Sequence, residues 1–155
     1  MSKLSKTIYL FITTIFFVLL NSYITKFILT NSYKLHKNPV LEFLFIQNEG
    51  AAFNIFEGYK IFLIVFAIAA IIGIIFYTIK NIDKTSAVCL FFISILNAGI
   101  FNNMLERITL GYVRDFIKLN FIDFPIFNIS DILINIGVLG IVFIILKNNY
   151  KSNRA

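Results

Sequence analysis

No tryptophan, one cysteine, one histidine and two prolines occur among the 155 residues, and only 14% of them are charged. Cys89 has no second cysteine to pair with and lies inside an apolar run, while His36 is alone in a polar stretch and reads as an ordinary solvated residue. A disulfide framework, a zinc site with three or four ligands and a cysteine–histidine nucleophile are therefore excluded, and neither a metal nor another cofactor is expected. Glycine and proline are nowhere gathered into a linker and no segment repeats, so residues 1–155 read as a single domain. Charge is also too sparse to cover a water-soluble globule when 59% of the residues are hydrophobic and the mean hydropathy is +0.85.

What the sequence does contain is long uncharged runs. Between Lys6 and Lys26, Lys60 and Lys80, Lys84 and Glu106, and Asp131 and Lys147 there are runs of 19, 19, 21 and 15 residues without a charge. A bilayer core about 30 Å thick takes roughly 20 apolar residues per helix, so four spans are predicted, at about residues 7–28, 60–80, 85–107 and 126–146. The fourth reaches that length only by taking in Asp131. The first run exceeds the usual apolar stretch of a cleaved signal peptide, and NSYITKFILT, residues 21–30, offers no A-x-A-like cleavage site, so this span is expected to be retained.

Four spans put both termini on one side. Lys3, Lys6, Lys80, Lys84, Lys147, Lys151 and Arg154 would share that side with a single acid, Asp83, which makes it the cytoplasmic one. The other side balances seven bases against seven acids, so the net charge of +6 is a topology signal and no nucleic-acid partner is expected. Two connections, about residues 30–59 and 108–125, lie outside. In the first, LEFLFIQNEGAAFNIF (residues 41–56) surrounds an Asn-Glu-Gly turn signal with Phe and Ile, and reads as a short hairpin or an extended flap at the membrane surface. In the second, GYVRDFIKLNFIDFP suits an interfacial segment. The fold class is thus an all-α polytopic membrane protein of four transmembrane helices, with a small extracytoplasmic β flap and a short interfacial segment.

An Asp within a spanning helix costs roughly 2.5 to 3.5 kcal/mol, so Asp131 needs a reason. Asn128, Asp131 and Asn135 fall at i, i+3 and i+7 on the fourth span, and Gly99, Asn103 and Arg107 at i, i+4 and i+8 on the third. Ser22 and Lys26 form a third such pair near the outer end of the first span. A lone Asn or Ser in such a stripe also serves as a hydrogen-bonding link between helices in lipid. Three ionisable groups at one depth, Asp131, Arg107 and Asp115, read instead as a site. A turn through Gly111 returns Asp115 to the membrane surface beside Asp131, and two neighbouring carboxyls there would share one proton. One would act as base on a water while the other, protonated, polarises a carbonyl, which is the chemistry of an aspartic peptidase.

The blocks NEGAAF (residues 48–53), NMLERITLGYVRDF (103–116) and FNISD (127–131) resemble, in order and spacing, those of the lipoprotein signal peptidase family, signal peptidase II. The resemblance covers nearly the whole chain. It implies a multi-pass aspartic endopeptidase of the bacterial cell (inner) membrane, with its site near the outer face, whose partners are membrane lipids and lipid-modified prolipoproteins cut before the diacylglyceryl cysteine. It also implies that Asp115 and Asp131 are the catalytic pair and that Asn48, Gly50, Asn103, Arg107, Asn128 and Lys26 serve the substrate. The chain departs from the family pattern at Ser22, where Asp is usual, at Asn102, where Gly is usual, and at Glu106, where Asp is usual. A different class of function, a small proton-coupled carrier or channel subunit relaying through Asp131 and Arg107, would need polar residues on toward the cytoplasm. After Asn135 the fourth span reads IGVLGIVFIIL. A non-catalytic assembly protein would leave the second acid unexplained.

Overall fold

In the computed structural model, residues 1–31, 39–51 and 55–152 are described; His36 and the end of the NEGAAF block lie outside them. Four helices dominate: α1 (Lys3–Asn31), α2 (Lys60–Lys80), α3 (Ala87–Thr109) and α4 (Ile129–Ser152), with strands β1 (Leu41–Asn48) and β2 (Val113–Leu119) in the connections. All four helices are long and apolar enough to cross a membrane. Without water in the bilayer core every backbone N–H and C=O must be paired within its own segment, which a helix does.

The third helix is central and packs on the other three. Its contact with α4 is close because three glycines leave room for the neighbouring helix. A Cβ on Gly99 would stand 2.5 Å from the Ser130 carbonyl oxygen, one on Gly137 would stand 2.7 Å from Leu96 Cβ, and one on Gly140 would overlap the ring of Phe92. Small residues at such crossings substitute van der Waals contact for the hydrophobic effect that lipid does not supply. The outward faces of α1, α2 and α4 expose Phe11, Ile15, Phe66, Phe76, Leu139 and Phe143, as lipid-facing surfaces should.

At one end of the bundle Leu10, Ile82, Leu90 and Ile93 form a buried cluster. There the Lys6 ammonium donates to the carbonyls of Ile82 and Asp83 at 3.0 and 2.9 Å, and Lys3 pairs with Asp83 at 2.7 Å. The Ser86 hydroxyl caps α3 by accepting from Cys89 N.

At the other end lies the sheet. After α3, Gly111 at φ +94° turns the chain back into β2, a conformation that glycine adopts without a Cβ penalty. The segment predicted as a hairpin or a flap is an extended strand, β1. Its antiparallel partner is β2, with Ile46 opposite Asp115 and Gln47 opposite Arg114 and an irregularity between Phe43 and Ile46. The predicted interfacial segment therefore begins as a strand, and its remainder exposes Phe121, Ile122 and Phe124. On its other side β2 meets Phe127, whose carbonyl accepts from the backbone of Phe116 and Ile117. This places β2 between β1 and the entry to α4.

Candidate active site

The helix α4 begins with a reciprocal pair. Asn128 Oδ1 accepts from Asp131 N at 3.1 Å while Asp131 Oδ2 accepts from Asn128 N at 3.0 Å, a capping box with Asp at the position more often held by Glu. Asp131 thus lies in the first turn, where the free N–H groups and the helix dipole favour a negative charge. Its other oxygen accepts from the Asn103 amide of α3 at 2.9 Å.

The second carboxyl comes from β2. Asp115 is only 4% exposed, and the side-chain amides of Asn48 and Asn128 donate to it at 2.8 and 2.7 Å. Burial pushes its pKa up to about 6; the charges of Asp131 and Glu106 add to the rise, and the two amide hydrogen bonds oppose it.

Asn128 therefore touches both acids, Asp115 through its side chain and Asp131 through both side chain and backbone, and its amide also reaches Asn103 Oδ1 at 3.3 Å. The network continues in the other direction. Asn48 Oδ1 accepts from Gly50 N at 2.9 Å, and the Gly50 carbonyl accepts from Arg107 Nη2 at 2.6 Å. Arg107 Nη1 closes back on the Asn103 carbonyl, and its buried Nε has no partner among the described residues. Seven of the eight residues singled out from the sequence, Asn48, Gly50, Asn103, Arg107, Asp115, Asn128 and Asp131, stand in this single network. The eighth, Lys26, is exposed on α1 and does not line the cavity beside it.

That cavity is about 1020 Å³. Asn48, Asn103, Arg107, Asp115, Asp131 and Asn135 are among its polar lining, and Phe121, Ile122, Phe124, Ile136 and Leu139 among its apolar lining. The lining combines polar and charged groups with apolar side chains suited to hydrocarbon. Among the described residues no group of three or more His, Cys, Asp or Glu could hold a metal ion.

Of the Ser22–Lys26 pair on α1 only Ser22 reaches another helix among the described residues, and the buried polar side chains are their neighbours. Asn21 and Thr25, 2% and 6% exposed, are the ones turned inward, and Asn21 Nδ2 donates to Ser130 Oγ at 2.7 Å. Ser22 reaches Asn102 at 3.2 Å. The signal was available, since Asn21 and Thr25 are four residues apart and Thr25 donates to Asn21 at 3.3 Å.

Four spanning helices with one buried and one half-buried carboxyl at one end of the bundle define a multi-pass membrane protein with the makings of an enzyme. Comparison with known proteins narrows the class. The family profile of signal peptidase (SPase) II matches residues 14–147. The lipoprotein signal peptidase of Lactobacillus johnsonii is 36% identical over 151 residues, covering 94% of this chain and 96% of its own. That of Streptococcus thermophilus is 38% identical over 114 residues, or 74% of each chain. A bacterial membrane enzyme solved by the in meso method at 2.3 Å resolution superposes with a TM-score of 0.78 at 30% identity, covering 94% of this chain and 91% of that one. The chain belongs to the signal peptidase II family, a family of peptidases.

Proposed function

We propose that the protein removes the signal peptide from diacylglyceryl-modified prolipoproteins by an aspartic mechanism, cutting before the lipidated cysteine. The observation that carries this reading is that Asp115 and Asp131 line one and the same cavity, together with a large set of apolar side chains. The membership of the family and the lipoprotein signal peptidases among its relatives supply the substrate class.

In this reading Asp115, whose pKa is raised toward neutrality, holds the shared proton and Asp131 is the ionised base. A water between them loses a proton to Asp131 as its oxygen attacks the scissile carbonyl carbon, and Asp115 gives its proton to the carbonyl oxygen. The tetrahedral diol then collapses: the C–N bond breaks, the amine nitrogen takes the proton from Asp131, and a diol hydroxyl returns one to Asp115. The dyad ends with the one proton it began with. Asn48, Asn103 and Asn128 fix the two carboxyls, and Arg107, through Gly50, fixes the end of β1 against α3.

The lipid requirement follows from the cavity's composition. Acyl chains lying along Phe124, Ile136 and Leu139 would hold the scissile bond at the depth of Asp131, and confinement to the membrane raises its effective concentration. The polar lining ends at Asn135, which supports a site over a through-path for protons. By the distribution of Lys and Arg, the termini face the cytoplasm and the site the outer side of the cell membrane.

The test is purified protein in detergent micelles with a diacylglyceryl-modified prolipoprotein and its unmodified counterpart. The size shift of signal-peptide loss is expected for the first substrate only. Equal cleavage of both would remove the lipid requirement, and cleavage of neither across pH and detergents would favour a non-peptidase role.

A further inference from the structure

Behind the acids, on the α1 side of α3, lies a second cavity of about 130 Å³, lined by polar groups that include Ser22, Asn102, Glu106, Arg114 and Ser130. Glu106 and Arg114 do more there than pair their charges. Glu106 Oε2 accepts from the backbone N of Arg114 at 2.7 Å, and Oε1 accepts from the guanidinium Nε and Nη2 at 3.0 and 2.6 Å. Both oxygens of one α3 side chain are committed to one residue of β2, the residue before Asp115.

Two-stranded ribbons are marginal by themselves, and a strand holds its height only through what it is tied to. Around Asp115 the ties are β1 on one edge, opposite Asp115 and Arg114, and the Phe127 carbonyl on the other, which begins only at Phe116. At Arg114 the backbone N–H donates to the Glu106 carboxylate. Because side chains alternate across a strand, Arg114 points to the small cavity while Asp115 points to the large one. Glu106 sits one turn from Asn103, the α3 residue that holds Asp131. One helix turn therefore sets the position of both acids, Asp131 through Asn103 and Asp115 through Glu106.

We infer that Glu106 is a positioning residue, holding β2 by the Arg114 amide so that the Asp115 carboxyl stands at the height of Asp131. The role rests on the proposal that Asp115 handles a proton in the reaction. The side chains of Arg114 and Glu106 are 31% and 17% exposed beside a polar cavity, so their mutual charge attraction is partly screened. The directional part is the carboxylate–amide bond, and displacement of a reacting group by as little as 1 Å costs on the order of a hundredfold in rate.

The test compares three variants in the lipidated-substrate assay. Glu106→Gln keeps an oxygen for the Arg114 N–H and loses the charge, Glu106→Met keeps the shape and loses both, and Arg114→Met keeps the amide bond alone. Expected are a fall in kcat of tenfold or more for Glu106→Met at a KM within about twofold of the parent, and falls within about threefold for the other two. A Glu106→Met kcat within twofold of the parent, a loss seen only in KM, or Glu106→Gln falling as far as Glu106→Met would each overturn the role. Asp115→Asn belongs in the same series. If it still cleaves, the acid pair and the positioning role fall together; if it is inactive while Glu106→Met is not, only the positioning role falls. Should Glu106→Met fail to insert, hydrogen exchange in the parent protein tests the same bond. The Arg114 amide is expected to be as protected as that of Ile117, and free exchange there would overturn the inference.

Discussion

Asn128 and Asp131 cap one another: each side-chain oxygen accepts from the other's backbone N–H, at 3.1 and 3.0 Å, at the point where α4 starts. The acid proposed as the base is therefore also part of its own helix's N-terminus. Each of its oxygens already has a protein donor without substrate, which fixes one rotamer and leaves little to reorganise during reaction.

Function and helix start can be separated by substitution. Asp131→Asn keeps an oxygen for the Asn128 N–H and loses the base, so cleavage should fall by about a thousandfold or more with the apparent Tm near that of the parent. Asp131→Ala should be as inactive and also less stable by about 1 kcal/mol, the worth of a lost cap. Because residues acting as a unit are non-additive, Asp115→Asn combined with Asp131→Asn should be scarcely worse than either alone. Near-parental cleavage by well-inserted Asp131→Asn would leave the carboxylate with a structural role only.

A pH signature follows from the burial of Asp115. Its folded pKa of about 6 stands above the ordinary carboxyl value of 3.8 expected for the unfolded chain. Between those values the folded state holds a proton that the unfolded state has released, so stability falls as pH rises through that window and the cost is complete above about 6. At 1.36 kcal/mol per unit the cost approaches about 3 kcal/mol. Asp115→Asn removes it. The apparent Tm of this variant minus that of the parent should therefore be more positive at pH 8 than at pH 4; a difference that is flat or reversed across those pH values would mean the carboxyl is not held in a desolvated site.

The four spans and the conspicuous acid were legible because the bilayer imposes length on every uncharged run and makes a carboxylate in one of them costly. Gly111 likewise announced its turn. The pairing of β1 with β2 was not legible, since Ile46 and Asp115 are far apart in sequence and neither strand alternates strongly enough to name its partner. The buried polar pair of α1, Asn21 and Thr25, was not read, because it lies one position before Ser22 and Lys26 at the same four-residue spacing and either pair fits a helix stripe. The Asn128–Asp131 cap was written as N-x-x-D and could have been read as a helix start. The tie between Glu106 and Arg114 crosses from a helix to a strand and has no periodic signature.

Orientation can be tested on residues the structure places in the open. In a Cys89→Ala background, single cysteines at Asp123, in the segment after β2, and at Lys84, in the turn between α2 and α3, are both exposed. Only Asp123→Cys should react with a membrane-impermeant thiol reagent on intact cells lacking an outer permeability barrier, because the basic turn at Lys84 is retained inside. Labelling of Lys84→Cys alone would invert the protein and place the acids at the inner face.

A close approach of α3 and α4 lies beside the acids, and it supplies the sharpest test that their spacing matters. A Cβ on Gly99 would meet the Ser130 carbonyl oxygen at 2.5 Å and Ile134 Cγ1 at 2.8 Å, and the first of these is backbone that cannot turn aside. Gly99→Ala must therefore push the helices apart where Ser130 precedes Asp131 and where Asn103, one turn along α3, donates to that acid. Overpacking of this kind costs about 1 to 3 kcal/mol of stability. A displacement of about 1 Å in the acid would cost on the order of a hundredfold in cleavage, well beyond the loss of folded protein. Gly73→Ala on α2 is the control, because nothing lies within 4 Å of a Cβ there. That variant should cleave at the parental rate and, by improved helix propensity, be no less stable. Parental cleavage by Gly99→Ala would show that the acids tolerate a wider gap between the helices than a proton-sharing pair allows.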